Sequence, residues 1–138
     1  MLGISLQGVY SALWPWPITQ TLTPAQFKAG LERNHGTLID VRTYDEFIVE
    51  HIDGAINIDI QRHDFKERLD NMINKNNPCY VYCKAGKRSE QAMKIMSADG
   101  FDEVYNLQGG IEAWKQAGYP VIKSSLQIAC PRGCDRWK

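Results

Sequence analysis

Strand and helix signals alternate along this chain from residue 21 to residue 122, and that alternation restricts it to a parallel sheet covered by helices on both faces. Thr23, followed by Pro24 and by Gln26 three positions on, is set up as the N-cap of a first helix. Leu22 and Phe27 are placed as its hydrophobic staple, Phe27 and Leu31 lie on one face, and the helix ends near Asn34–Gly36. Thr37 to Val41 reads as a buried strand. Thr43 with Glu46 makes a second capping box, which opens a short helix through Val49. Turn and strand return at Gly54–Ile58. Phe65, Leu69 and Met72 recur at helical spacing, which predicts an amphipathic helix over Asp64–Ile73. Asn74 to Pro78 is a turn cluster, and Cys79-Tyr80-Val81-Tyr82 is a short β-rich run. After a glycine-containing loop, Ala92, Ile95 and Met96 mark a helix from Glu90 to Ala98, stopped by Gly100. Val104–Leu107 is the next strand, and Gly109-Gly110 turns the chain into a last helix that carries Ile111 and Trp114 and ends at Gly118. In such sheets ligands bind beyond the carboxyl ends of the strands, and Cys83 lies at one of those ends.

The chain's 138 residues fit one domain with an ordinary core. Sixteen basic residues balance sixteen acidic ones, so the total charge points to neither nucleic acid nor an anionic membrane. An apolar content of 43% belongs to a globular protein rather than a disordered one. Met1 to Trp16 is apolar but carries no Lys or Arg, so it lacks the basic start of a secretory signal. Pro15 and Pro17 interrupt it, and it falls short of the roughly 20 residues of a membrane span. Packing of Leu13, Trp14 and Trp16 on the domain surface is the reading favoured over a partner or membrane contact. The cysteines form two pairs, Cys79/Cys83 and Cys130/Cys134. At a strand rise of about 3.3 Å per residue, Cys79 and Cys83 lie roughly 13 Å apart, beyond disulfide reach. With no secretory signal, a reduced, cytoplasmic protein is expected. Cys130-Pro131-Arg132-Gly133-Cys134 is read as a frayed terminal segment before a disulfide or a sulfur relay, and two cysteines without further ligands make a weak zinc site. No metal or cofactor is expected.

Cys83-Lys84-Ala85-Gly86-Lys87-Arg88-Ser89 joins a strand to a helix. If that loop curls over the helix start, its backbone N–H groups converge on the Cys83 sulfur as in an anion-binding nest. The helix dipole with Lys84, Lys87 and Arg88 favours negative charge there, and thiolate is the nucleophilic form. Gly86 allows the backbone to bend. The opposing reading, an inert buried thiol beside a solvated basic patch, is disfavoured because the three cations and the glycine are grouped around this cysteine. For Asp40 and Arg42 a structural role in loop anchoring or ion pairing is preferred to catalysis. Hydrogen bonding is preferred to proton transfer for His51, and Trp114 is placed on the core face of its helix.

Three segments resemble the signatures of rhodanese domains. They are Leu38–Arg42 with Glu46-Phe47 and His51–Ile58, then the Cys83–Ser89 loop, then Gly109–Trp114 with Gly118–Val121. The resemblance covers about residues 20 to 123. It implies a five-stranded parallel sheet with helices on both faces, flanked by an extension over 1–19 and a tail over 124–138. It also implies sulfurtransfer: a small sulfur-containing anion such as thiosulfate gives its outer sulfur to Cys83, sulfite leaves, and cyanide, a thiol or a protein acceptor takes the sulfur. Lys84, Ala85, Gly86, Lys87, Arg88 and Ser89 are then the substrate-binding loop, and Asp40 and Arg42 its support. Asp53 departs from the family, which often has proline there, in a turn far in sequence from the loop. The alternatives are a binding or regulatory module on the same fold and a cysteine-based phosphatase or arsenate reductase. The related phosphatases have a loop one residue longer between cysteine and arginine. The four residues between Cys83 and Arg88 suit a sulfane sulfur and crowd a tetrahedral oxyanion.

Overall fold

Thr23 and Thr43 each start a helix by the same reciprocal device. The Thr23 hydroxyl accepts from the Gln26 amide at 3.3 Å while Gln26 Oε1 accepts from the Thr23 amide at 3.0 Å. Thr43 and Glu46 repeat the pattern at 3.2 and 3.1 Å. Two of the orphan N–H groups at each helix start are satisfied in this way. A computed structural model describes residues 17–124. The strands are β1 (Ile18–Leu22), β2 (Thr37–Asp40), β3 (Glu50–His51), β4 (Ile56–Asn57), β5 (Cys79–Tyr82), β6 (Glu103–Leu107) and β7 (Ile122–Lys123). The helices are α1 (Pro24–Asn34), α2 (Tyr44–Val49), α3 (Phe65–Met72), α4 (Lys87–Ala98) and α5 (Gly110–Gln116).

Five strands form one all-parallel sheet in the order β1-β6-β5-β2-β4, and β3 pairs β7 antiparallel beside it. Because side chains alternate along a strand, β5 feeds two cores. Cys79 and Val81, with Cys83 just past the strand, pack among Phe65 and Leu69 of α3 and Ala92, Met93 and Met96 of α4. Tyr80 and Tyr82 pack on the opposite face with Phe27 of α1 and Ile111 and Trp114 of α5. Phe27 stands edge-on to Tyr80 at 5.3 Å and to Trp114 at 6.3 Å. The sheet is therefore covered on both faces, as expected, and Leu22 and Phe27 share the α1 core as the staple requires.

Three local readings are corrected. Helical spacing groups Met72 and Ile95 with the apolar residues of their helices, yet they are 48% and 38% exposed. Ile73 and Met93, one and two positions away, are buried in their stead. Periodicity sets a helix's stripe, but the neighbours decide where the stripe is covered. The helix expected from Glu90 begins at Lys87, with Gly86 as its left-handed N-cap. The strand pairs β1 and β3–β7 were not anticipated. β1 is a largely exposed edge strand, and β3 and β7 are two residues each, too short for a pattern.

Among the described residues no helix is long and apolar enough to cross a membrane. Leu13, Trp14, Trp16, Cys130 and Cys134 lie outside the described residues.

Candidate active site

The carboxyl ends of β2 and β5 lie side by side, with Asp40 paired to Tyr82 in register, and each strand continues into a loop. The loop after β2 is held by a buried ion pair. Arg42 donates from Nε to Asp40 Oδ1 at 3.0 Å and from Nη2 to Asp40 Oδ2 at 2.7 Å, and its own amide reaches Asp40 Oδ1 at 2.9 Å. Nη2 also donates to the Glu50 carbonyl at 2.7 Å, and the Asn57 amide donates to the carbonyls of Asp40 and Arg42. With both side chains almost wholly buried, this pair ties the loop after β2 to the backbone of β3. Removing either partner alone would strand the other charge, at a cost of about 3–5 kcal/mol. His51 stacks on Phe47 at 4.0 Å, and its Nδ1 donates to the Phe47 carbonyl. Trp114 donates from Nε1 to the Pro120 carbonyl while its ring lies in the core.

Cys83 is 1% exposed, at the floor of the loop that opens α4. Its sulfur accepts from the Gly86 amide at 3.0 Å and from the Ser89 hydroxyl at 3.3 Å. One loop amide, rather than a converging set, makes the contact. Among the described residues no histidine or carboxylate hydrogen-bonds the sulfur. The loop's carbonyls are turned the other way: the Ile111 amide donates to the Cys83 carbonyl at 2.9 Å and the Glu112 amide to the Lys84 carbonyl at 3.2 Å. The first turn of α5 thus takes up the acceptors of the loop and leaves a donor facing the sulfur. Cys79, on the same sheet face, is free and buried, and burial, with a smaller Coulomb contribution from Glu103, pushes its thiol up to about 12.

Lys84, Ala85 and Lys87 are exposed, Gly86 is half-buried with φ +109°, and Ser89 is buried. Lys84 and Lys87 have no ion-pair partner among the described residues. Arg88 is elsewhere than expected. Its planar fork, expected among the substrate-binding groups of the loop, holds the two oxygens of Glu46 at 2.8 and 3.1 Å. The Arg88 pKa is raised, first by hydrogen bonding to Glu46 against desolvation, then by Coulomb attraction to Glu46 and to the Cys83 sulfur. Arg88 therefore anchors the loop to α2. Glu46 is the residue that sequence reasoning left without a role beyond its cap. Asn106, whose amide touches Ser89, and Gly110, beneath Lys84, were also missed because their partners lie far away in sequence.

The Glu46–Arg88 pair has a measurable pH signature. Hydrogen bonding from Arg88 is the largest influence on the Glu46 carboxyl, lowering it from 4.5 to about 2. The unfolded chain then binds more protons between those values, so the pair's stabilisation is complete above pH 4.5 and lost as pH falls through about 2. With side chains 25% and 31% exposed, we expect about 1 kcal/mol. Thermal melts of wild type and Glu46→Gln should differ by a constant gap above pH 5 that closes toward pH 2. A gap independent of pH would show that the carboxylate charge contributes nothing.

With this geometry in place, comparison with known proteins settles the class. The family described as the Rhodanese-like domain matches residues 23–117, and the chain belongs to that family. It is 38% identical over 106 residues to the uncharacterised protein YqhL of Bacillus subtilis, an alignment covering 77% of this chain and 80% of that one. It is 42% identical over 86 residues to the thiosulfate sulfurtransferase PspE of Escherichia coli, covering 62% and 77%. Its fold matches the solution structure of the rhodanese-like domain of an Anabaena protein with a TM-score of 0.68 at 30% identity, covering 75% of this chain and 78% of that one.

Proposed function

We propose that this protein is a sulfurtransferase that carries sulfane sulfur as a persulfide on Cys83, within a catalytic unit spanning residues 20–123. The observation that carries the reading is the Cys83 sulfur held at the mouth of α4 between the Gly86 amide and the Ser89 hydroxyl, with no base hydrogen-bonded to it among the described residues. Such a site serves a nucleophile that must bear negative charge, leave as an anion and never hand a proton to a substrate.

The Cys83 thiolate attacks the outer sulfur of thiosulfate. The S–S bond of the donor breaks, and sulfite departs with its electron pair, leaving Cys83–S–S⁻. A thiophilic acceptor, such as cyanide or the thiolate of a small molecule or protein, then attacks the terminal sulfur, and the Cys83 thiolate leaves with the electrons of the bond. No oxidant or cofactor enters the balance. Lys84 and Lys87, exposed on the loop that follows Cys83, attract the dianionic donor, and Arg88 adds its field while its fork stays on Glu46. The likeness to a thiosulfate sulfurtransferase supports the donor class. A reducing compartment keeps the Cys83 thiol free of disulfides, and the cytoplasm is the one we propose.

Treatment with thiosulfate, followed by intact-protein mass spectrometry and peptide mapping, tests this directly. The expected result is the gain of one sulfur atom at Cys83 with stoichiometric sulfite release, and no hydrolysis of aryl phosphates. Sulfur mapping to Cys130 or Cys134 would make the tail the carrier. Robust phosphatase turnover without sulfur loading would overturn the assignment in favour of oxyanion chemistry. Failure of thiosulfate, mercaptopyruvate and persulfide donors alike would leave a binding module.

A further inference from the structure

Behind Cys83 lies a polar chain, buried at Ser89 and Asn106 and reaching the exposed Thr21, that the loop alone does not explain. The Ser89 hydroxyl has three acceptors in reach: the Cys83 sulfur at 3.3 Å, the Gly86 carbonyl at 3.2 Å and Asn106 Oδ1 at 2.5 Å. It has one proton to give. Asn106, 3% exposed on β6, the strand between β1 and β5, holds Thr21 Oγ1 at its other end, 3.4 Å from Nδ2. A half-turn of the amide exchanges its oxygen and nitrogen with almost no change of shape.

These two orientations serve two states of the sulfur. With Oδ1 toward Ser89, the hydroxyl donates to the amide, and its oxygen is free to accept from a Cys83 S–H. With Nδ2 toward Ser89, the amide donates to the hydroxyl oxygen, the Thr21 hydroxyl donates to Oδ1, and the Ser89 proton is released toward the sulfur. The second arrangement satisfies every member of the chain when the sulfur is anionic.

Building on the persulfide reading, we infer that Asn106 is a positioning residue that directs the Ser89 hydroxyl proton onto the Cys83 sulfur whenever that sulfur carries charge. This happens twice in the cycle: when the thiolate attacks the donor, and when it leaves as the acceptor takes the terminal sulfur. In the persulfide between those steps the inner sulfur is neutral, and the hydroxyl returns to the amide. Without the amide, nothing donates to the Ser89 oxygen to fix its rotor, and the Gly86 carbonyl at 3.2 Å shares the proton with the sulfur at 3.3 Å.

Alkylation of Cys83 by iodoacetamide, resolved from Cys79 by fragment mass spectrometry, reads the sulfur without any sulfur donor. The test therefore stands or fails separately from thiosulfate loading. Ser89→Ala and Asn106→Leu should each slow Cys83 alkylation about tenfold at neutral pH, the loss of one charge-assisted hydrogen bond, and move the midpoint of its pH profile upward. Lys84, Lys87, Arg88, Glu46 and the Asp40–Arg42 pair, the charged groups around the loop, are the same in every variant. The double variant should be no slower than Ser89→Ala, because Asn106 acts through that hydroxyl. Wild-type alkylation in Asn106→Leu, or a double variant slowed by the product of the two, overturns the inference. If Asn106→Leu does not fold, nuclear Overhauser contacts in the wild type decide. The Asn106 amide protons should lie beside Ser89 once the sulfur is ionised, and their staying beside Thr21 at every pH overturns it.

Discussion

Cys83→Ser is expected to reduce thiosulfate-to-cyanide sulfurtransfer to background while the protein still melts cooperatively near the wild-type temperature. The hydroxyl fits the space of the thiol and accepts from the same Gly86 and Ser89 donors, so the fold is untouched. What is lost is the nucleophile: a serine hydroxyl, with no base hydrogen-bonded to it among the described residues, does not ionise, and it forms no sulfur–sulfur bond. Cys79→Ala is the paired control. Cys79 is wholly buried below the loop, and its thiol is pushed up to about 12, so activity should persist. The cavity should cost about 1–2 kcal/mol of stability. Activity retained in Cys83→Ser but lost in Cys79→Ala would reverse the assignment.

Gly110→Ala is expected to lower activity about a hundredfold or more, although Gly110 touches no substrate. Its φ of +64° is the left-handed region, and a Cβ there would stand 2.2 Å from the Lys84 carbonyl oxygen and 2.6 Å from the Ala85 nitrogen. Both are backbone, so neither can swing aside. The loop must lift, and it would carry with it the hydrogen bonds from Ile111 and Glu112 that turn its carbonyls away from the sulfur. The combined strain and lost bonding should destabilise the protein by about 2–4 kcal/mol. Gly118→Ala is the calibration, since its φ is +87° but nothing lies within 4 Å of the added carbon. It should cost only about 1 kcal/mol, with activity retained. Equal effects in the two variants would mean that the contact with Lys84 is irrelevant and only backbone strain matters.

The cation-rich start of α4 explains why its boundary was misread. Lys87 and Arg88 occupy the first turn, where the helix dipole disfavours positive charge, so local rules delay the helix to Glu90. The structure tolerates them because Glu46 neutralises Arg88, and because positive charge beside the Cys83 sulfur serves the proposed chemistry. A local rule broken at one place is a mark of a functional site.

The amino-acid sequence by itself determined what neighbours within a few residues decide. That includes the two capping boxes at Thr23 and Thr43, the alternation that makes a doubly covered parallel sheet, and the placing of Cys83 at a strand end before a glycine-containing loop. Each rests on contacts spanning four residues or fewer, or on side-chain periodicity, and both are visible in one dimension. Only the tertiary structure decided which side chains complete the site. Glu46 meets Arg88 across 42 positions, Asn106 meets Ser89 across 17, and Gly110 lies under Lys84. These pairings follow from the parallel register, which brings the ends of β2, β5 and β6 together at one edge. Nothing in the local pattern of Glu46, Asn106 or Gly110 distinguishes them from a surface acid, a strand amide or a turn glycine, because the groups they face are supplied by other strands and helices.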